Sequence, residues 1–210
     1  VKTEEQCVSM LPALKKGFAF DVETTSLTIQ DAELIGISIC ASEEKSYYIP
    51  CAINTKKNEH TSETALLFSM DASKKKIERK LAPIISVLKP LFEDETILKI
   101  AHNAKFYMQV LHYYGIEVSG IIFDTMIAAS LVFSGEAVGL KALVERYFNV
   151  TMTSFDHLLK EYQSIELVPL ESLAHYAAAD SFYTYSLYKL LKPKIYEMSL
   201  ETLFYSIETL

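Results

Sequence analysis

The 210-residue sequence predicts an α/β fold: a three-layer domain whose mixed sheet, an antiparallel meander plus parallel strands, is flanked by helices. Three observations carry that expectation. Three short apolar runs separated by polar stretches come first, then short apolar runs alternate with stripes of helical period, and the last part is helical throughout. Apolar residues make up 50% of the chain, which is enough to bury a core and excludes wholesale disorder.

The elements follow in order. Phe18-Ala-Phe-Asp-Val-Glu23, preceded by Gly17, reads as a strand ending in acidic residues. Leu34–Cys40 and Ser46–Pro50 read as the next two strands, joined by a polar turn at Glu43 and Glu44, which makes a meander. From about Thr61 the period changes: Ile77, Leu81, Ile84, Ile85 and Leu88 form a helical stripe that Pro90 is expected to end. Ile97–Ala101 reads as a short strand leading to Asn103, whose side chain is expected to cap the next helix. Phe106, Val110, Leu111 and Tyr114 form that helix's apolar stripe, closed by Gly115. Ile121–Phe123 is a brief strand, and Asp124 opens and caps a further helix. Leu140–Phe148 and Leu170 to about Leu191 read as helices, with Pro193 expected to interrupt before a last helical segment runs to Leu210. An RNase H-like sheet has this order of elements.

Composition narrows the function classes. With 27 acidic residues against 20 Lys and Arg, the net charge of -7 argues against a broad non-specific nucleic-acid surface. It leaves room for a small acidic site that grips nucleic acid through metal ions. Lys74, Lys75, Lys76, Arg79 and Lys80 form a basic run that reads as a solvated helix face. Tyr and Phe rings could stack on unpaired bases, but most of them, such as Phe148 and Phe155, are expected to fill the core. No uncharged apolar run reaches the ~18 residues of a membrane span. No basic start followed by an apolar stretch marks a signal peptide, so a cytoplasmic protein without a membrane partner is expected. Cys7, Cys40 and Cys51 lack CxxC spacing and read as reduced thiols. The chain starts at Val1, and a piece of a longer protein is expected.

Two sets of residues could carry chemistry. Asp21 and Glu23 lie two apart on a strand, so both carboxylates point to one face. They repel unless a cation sits between them, and hard oxygen ligands suit Mg²⁺ or Mn²⁺. On the pair alone, two exposed acids at a strand end is the competing reading. In Tyr176-Ala-Ala-Ala-Asp180 the phenol and the carboxylate share a helix face lined by alanines. His175 is an alternative base, but on an ideal helix it points away from Asp180 and Tyr176 does not.

Together these pieces resemble the 3′–5′ proofreading exonuclease domain of bacterial DNA polymerase I, in the Tyr branch of the DEDD nucleases. The matching stretches are Phe20-Asp-Val-Glu-Thr-Thr-Ser-Leu27, His102-Asn-Ala-Lys-Phe106, Tyr114-Gly-Ile-Glu117, Phe123-Asp-Thr-Met126 and Tyr176-Ala-Ala-Ala-Asp180, in the family's order. The resemblance implies two-metal hydrolysis at a DNA 3′ end. Asp21, Glu23 and Asp180 would be metal ligands, with Asp21 bridging both metals, and Tyr176 would orient the attacking water. Thr24 and Leu27 would contact the terminal nucleotide, with Leu27 wedging against the last base. Asn103 and Phe106 would line the DNA site.

One position departs from the family. Its second motif has an Asp four residues after the Asn, and here that place is held by Tyr107. A neutral phenol cannot replace a carboxylate in a metal cage. Two metals are therefore the family's complement and one or none is expected here, with exonuclease activity weak or absent. The resemblance further implies a single-stranded DNA 3′ end as partner, a polymerase domain in the same longer chain and a monomeric state. Residues 1–192 would be the exonuclease-like domain and 193–210 a helical connection towards the polymerase. Two other readings are a non-catalytic structural or DNA-holding module, and an RNA-trimming nuclease of the same branch.

Overall fold

The computed structural model of the chain describes residues 1–51 and 83–208. These form α1 (Glu4–Leu14), β1 (Phe18–Thr24), β2 (Leu34–Cys40), β3 (Ser46–Pro50), α2 (Pro83–Ser86), α3 (Lys89–Glu93), β4 (Lys99–Ala101) and α4 (Ala104–Tyr113). They continue as β5 (Ile122–Asp124), α5 (Thr125–Val132), α6 (Leu140–Phe148), α7 (Phe155–Tyr162), α8 (Leu170–Glu197) and α9 (Glu201–Leu203). The sheet order is β3-β2-β1-β4-β5. β2 runs antiparallel to β1 and β3, while β4 runs parallel to β1 and β5. The predicted mixed sheet is therefore present, and β1 is its central strand. The basic run Lys74, Lys75, Lys76, Arg79 and Lys80 lies outside the described residues, as do Ile77 and Leu81.

Every residue of β1 is buried, because helices cover both faces of the sheet. Phe18, Phe20 and Val22 join Ile37, Ile39, Leu88 and Phe92 in one core. The rings of Phe18, Phe20 and Phe92 meet edge to face at 5.1–6.2 Å, and each such buried side chain contributes roughly 1.5–3 kcal/mol. The alternate residues, Ala19, Asp21 and Glu23, point to the other face. There Ala19 packs with Ile100, Phe123, Leu187 and Leu191. The period of two thus carries both acids to the side covered by α8.

α8 crosses β1, β2, β3 and β4. Its buried stripe, Leu173, Ala177, Asp180, Ser181, Thr184, Leu187, Leu191 and Ile195, keeps helical spacing. Its middle is built of small residues, which let the helix lie close to the sheet. Contrary to the sequence expectation, Pro193 does not interrupt it: α8 is continuous to Glu197. Proline forfeits the bond to the Lys189 carbonyl, but Lys189 is on the exposed side, and buried Leu191 and Ile195 hold the helix on either side.

Pro90 is a second correction. It sits in the first turn of α3, where its missing N–H costs nothing, so it opens a helix instead of ending one. α4 ends as expected at Gly115, which has φ +74°. The Gly115 N–H bonds the His112 carbonyl at 2.9 Å and the Ile116 N–H bonds the Leu111 carbonyl at 3.1 Å. α1 and α7 are absent from the sequence expectation. Each has a side-chain cap: Thr3 accepts from the Gln6 N–H at 3.2 Å and Ser154 from the His157 N–H at 3.1 Å. The three cysteines are free thiols, and among the described residues no helix is long and apolar enough to cross a membrane.

Candidate active site

The site forms where the carboxyl end of β1 meets the second and third turns of α8. Asp21 and Glu23 rise from β1, Asp180 descends from α8, and one carboxylate oxygen from each lies within 4.8 Å of the others. All three residues are only 6–7% exposed. The Glu23 Oε1 and Asp180 Oδ1 atoms are buried without a hydrogen-bond partner. Three buried acids so close, with unpartnered oxygens, are strongly destabilised as anions. Burial lifts Asp21 to about 6, opposed by a hydrogen bond from Tyr107. Asp180 is raised to about 7 by burial and by the charge of Asp21. Glu23 is pushed well up by burial and then by the charges of Asp21 and Asp180. A divalent cation fits this donor set: hard oxygens, converging, with two of them unused.

The backbone below is shaped to the same end. The β1–β2 pairing shifts register between Glu23 and Thr24, and Gly36 faces Glu23 across the ladder. A Cβ at Gly36 would meet the Tyr48 hydroxyl at 2.1 Å, so only glycine admits the Tyr48 ring there. The Tyr48 hydroxyl is buried and unpartnered. Its pKa is raised, first by burial and then by charges that include those of Glu23 and Asp21.

Tyr107 lies in the first turn of α4 and points into the acid cluster. Its ring packs against Phe20 at 5.8 Å and Phe106 at 6.1 Å between centroids. Its hydroxyl donates to the Asp21 carboxylate. Burial and the negative charge of Asp21 hold that phenol well above its ordinary range. Opposite, Tyr176 donates its hydroxyl hydrogen to Asp180, and burial with that carboxylate's charge raises its pKa.

Lys141, which the sequence reading missed, completes the site. It extends from the first turn of α6, and its Nζ donates to the Tyr176 hydroxyl at 2.9 Å. The same nitrogen is 4.0 Å from Asp180 Oδ2 and 4.4 Å from the centre of the Tyr176 ring. The available signal was a cation at a helix N-terminus, where the macrodipole disfavours it.

Asn103 is a third correction. It takes a left-handed conformation, φ +74° and ψ +54°, and its side chain makes no capping bond. The cap comes from Asp124, whose carboxylate accepts from the Asn103 N–H at 3.2 Å and the Ala104 N–H at 2.7 Å. Asp124 also caps α5, accepting from the Met126 N–H at 2.8 Å and the Ile127 N–H at 3.3 Å. One acid therefore ties two helix starts together, and the Asn103 side chain is left exposed at the site.

Thr24, Leu27, Asn103, Phe106, Tyr107, Tyr176 and the acids Asp21, Glu23 and Asp180 share one groove of about 670 Å³. Leu27 is 84% exposed at its rim. The Thr24 hydroxyl is committed to the Ser26 carbonyl at 2.9 Å. Phe155, expected only to fill the core, also lines this groove. His175 does not; it is exposed beside His157 and Glu161 in a neighbouring cavity of about 340 Å³.

Comparison with known proteins identifies the family. Residues 1–196 match the 3′-5′ exonuclease family of DNA polymerase A. The chain is 36% identical to DNA polymerase I of Chloroflexus aurantiacus over 197 residues, which is 91% of this chain and 19% of that protein, so it spans about a fifth of that relative's length. Among solved structures it is similar to the POL domain of Pol1 from M. smegmatis in complex with DNA primer-template and dNTP. There the TM-score is 0.66 at 18% identity, covering 97% of this chain and 28% of that one. It is also similar to Escherichia coli RNase D, an exoribonuclease involved in structured RNA processing, with a TM-score of 0.60 at 20% identity, covering 92% and 43%. The fold is RNase H-like, and the chain belongs to the 3′-5′ exonuclease family of DNA polymerase A.

Proposed function

We propose that this domain acts on the 3′ end of a single DNA strand as the proofreading-type exonuclease unit of a DNA polymerase I, and that its hydrolytic activity is weak or lost. The observation that carries the reading is the convergence of Asp21, Glu23 and Asp180 within 4.8 Å, with the Tyr107 hydroxyl bonded to Asp21. Asp21, Glu23 and Asp180 would hold Mg²⁺ or Mn²⁺, which when bound supplies a hydroxide nucleophile and stabilises the leaving oxygen. With Tyr107 in place of a fourth carboxylate, one ion or none binds. The Tyr176 hydroxyl donates to Asp180 and accepts from Lys141, which leaves one lone pair to accept from and orient a water. Exposed Leu27 wedges against the terminal base, Thr24 backs that nucleotide, and Asn103 and Phe106 line the strand's path.

In the full-length protein, residues 1–192 would form this unit. Residues 193–210 would lead towards a polymerase domain in the same chain, although α8 passes through that boundary as one helix. The protein would be monomeric and cytoplasmic. The Tyr107–Asp21 bond also favours a second reading, a DNA-holding module without catalysis.

The test is trimming of 5′-labelled single-stranded DNA with Mg²⁺ or Mn²⁺ by the unaltered chain, Tyr107→Asp and Asp21→Ala, with a labelled RNA strand in parallel. Little trimming is expected from the unaltered chain, and at least ~10–100-fold more from Tyr107→Asp, the scale of metal-site losses. Vigorous trimming by the unaltered chain would defeat the weak-site reading. Strand binding without trimming in any variant supports the holding module, and RNA preferred over DNA supports an RNA-trimming nuclease.

A further inference from the structure

Lys141 stands where a helix start disfavours a cation. α6 has neither a side-chain cap nor an acid in its first turn to offset that charge. A residue that opposes its local preference is held by tertiary partners, and here they are Tyr176 at 2.9 Å and Asp180 at 4.0 Å. Its charge acts on Asp21, Glu23 and Asp180 alike. Among the described residues, Lys141 is the one basic side chain that reaches all three acids in this way.

We propose that Lys141 is a tethered counter-cation of the acid cluster: its ammonium occupies the Asp180 side of the site, and a divalent ion bound there must compete with it. The proposal rests on the reading of Asp21, Glu23 and Asp180 as ligands of a divalent ion. The geometry supports direct competition, because the ammonium reaches the carboxylate that descends from α8 and not only the phenol beside it. A divalent ion that takes Asp180 meets a like charge within a few ångströms, and the lysine, at 30% side-chain exposure, has solvent to swing into. Tyr176 then loses its ammonium donor. Lys141 thereby ties the orientation of that hydroxyl to the occupancy of the site.

The test measures binding, not turnover. Mn²⁺ is titrated into the whole chain, with free ion followed by electron paramagnetic resonance, for the unaltered protein, Lys141→Met, Lys141→Arg and Asp21→Asn. Lys141→Met is expected to bind Mn²⁺ about tenfold tighter, the size of one partly buried charge interaction. Lys141→Arg should stay near the unaltered value. Equal or weaker binding by Lys141→Met overturns the counter-cation while leaving the metal site standing, since Asp21→Asn would still lose affinity. No Mn²⁺ binding by any form overturns both. A second measurement needs no substitution. The rate at which an amine-reactive ester labels Lys141, read by mass spectrometry, should rise severalfold when Mg²⁺ is added. An unchanged rate at saturating Mg²⁺ also defeats the proposal.

Discussion

Two buried acidic regions lie close together in this domain and are treated in opposite ways. At the β5–α5 junction the Asp124 carboxylate receives backbone N–H bonds from Asn103, Ala104, Met126 and Ile127, so its oxygens are fully used. At the end of β1, Glu23 Oε1 and Asp180 Oδ1 receive none. The first arrangement turns a buried charge into scaffold, because it answers donors that two helix starts would otherwise leave open. The second is only partly answered, and burial with mutual repulsion raises the proton affinity of every acid in it. Burial alone does not distinguish the candidate ligands from Asp124; unsatisfied burial does.

The scaffold side of that contrast is sharpened most by Asp124→Ala. It removes the caps of both α4 and α5 and strands several buried donors. About 4 kcal/mol of stability should be lost, summing two caps and the unpaired N–H groups. For a chain of this size that lowers the melting temperature by on the order of 10 °C. Asp124→Asn keeps one acceptor oxygen and should lose less than half as much. A thermal melt of Asp124→Ala within ~2 °C of the parent would break the distinction, since it would mean the bonds contribute no net stability.

The site side is sharpened by pH. Asp21 at about 6 and Asp180 at about 7 exceed their unfolded values near 4, and burial pushes Glu23 well above its own. The folded state therefore binds more protons than the unfolded one between about pH 4 and 7, and stability must fall as pH rises through that window. The metal-free domain is expected to be more stable at pH 5 than at pH 8, by roughly 4 kcal/mol, since Asp21 at about 6 and Asp180 at about 7 together lose about three decades of proton affinity above pH 5, at ~1.4 kcal/mol each. Asp180→Asn should flatten the slope and raise the melting temperature at pH 8. A melt that rises from pH 5 to pH 8 would mean the acids are paired in solution, and the contrast with Asp124 would vanish.

Much of this is legible in the sequence, for reasons particular residues make clear. Strand alternation carries Asp21 and Glu23 to one face, and four-residue spacing does the same for Tyr176 and Asp180, so local period alone places both pairs. Their convergence needs the meander and α8 in register, and that comes through the order of motifs. What sequence does not reach is nonlocal exchange of partners. The helix start at Asn103 is capped by Asp124, 21 residues on, and Asn103 spends its left-handed geometry on presenting its side chain outward. Lys141 lies in an unremarkable helix start until α8 lies across from it. Pro90 and Pro193 read as breakers because propensity is local, whereas the packing that lets a helix begin at one and pass through the other is not.

The smallest of the expected effects concerns the ring that joins the two faces. Tyr107→Phe keeps the packing against Phe20 and Phe106 and deletes only the hydrogen donated to Asp21. That bond favours the charged form of Asp21, so without it the Asp21 pKa should climb above its present value of about 6. The folded-state pKa then lies further above the unfolded one, so the loss of stability falls at the alkaline end. About 1–2 kcal/mol should disappear at pH 8, and much less at pH 4, where Asp21 is already protonated and the donor has no charge to answer. Thermal melts of Tyr107→Phe and the parent at both pH values decide it. Equal losses at both would mean that the hydroxyl stabilises α4 by packing or by another partner. A loss confined to pH 8 identifies the phenol as the donor that restrains Asp21.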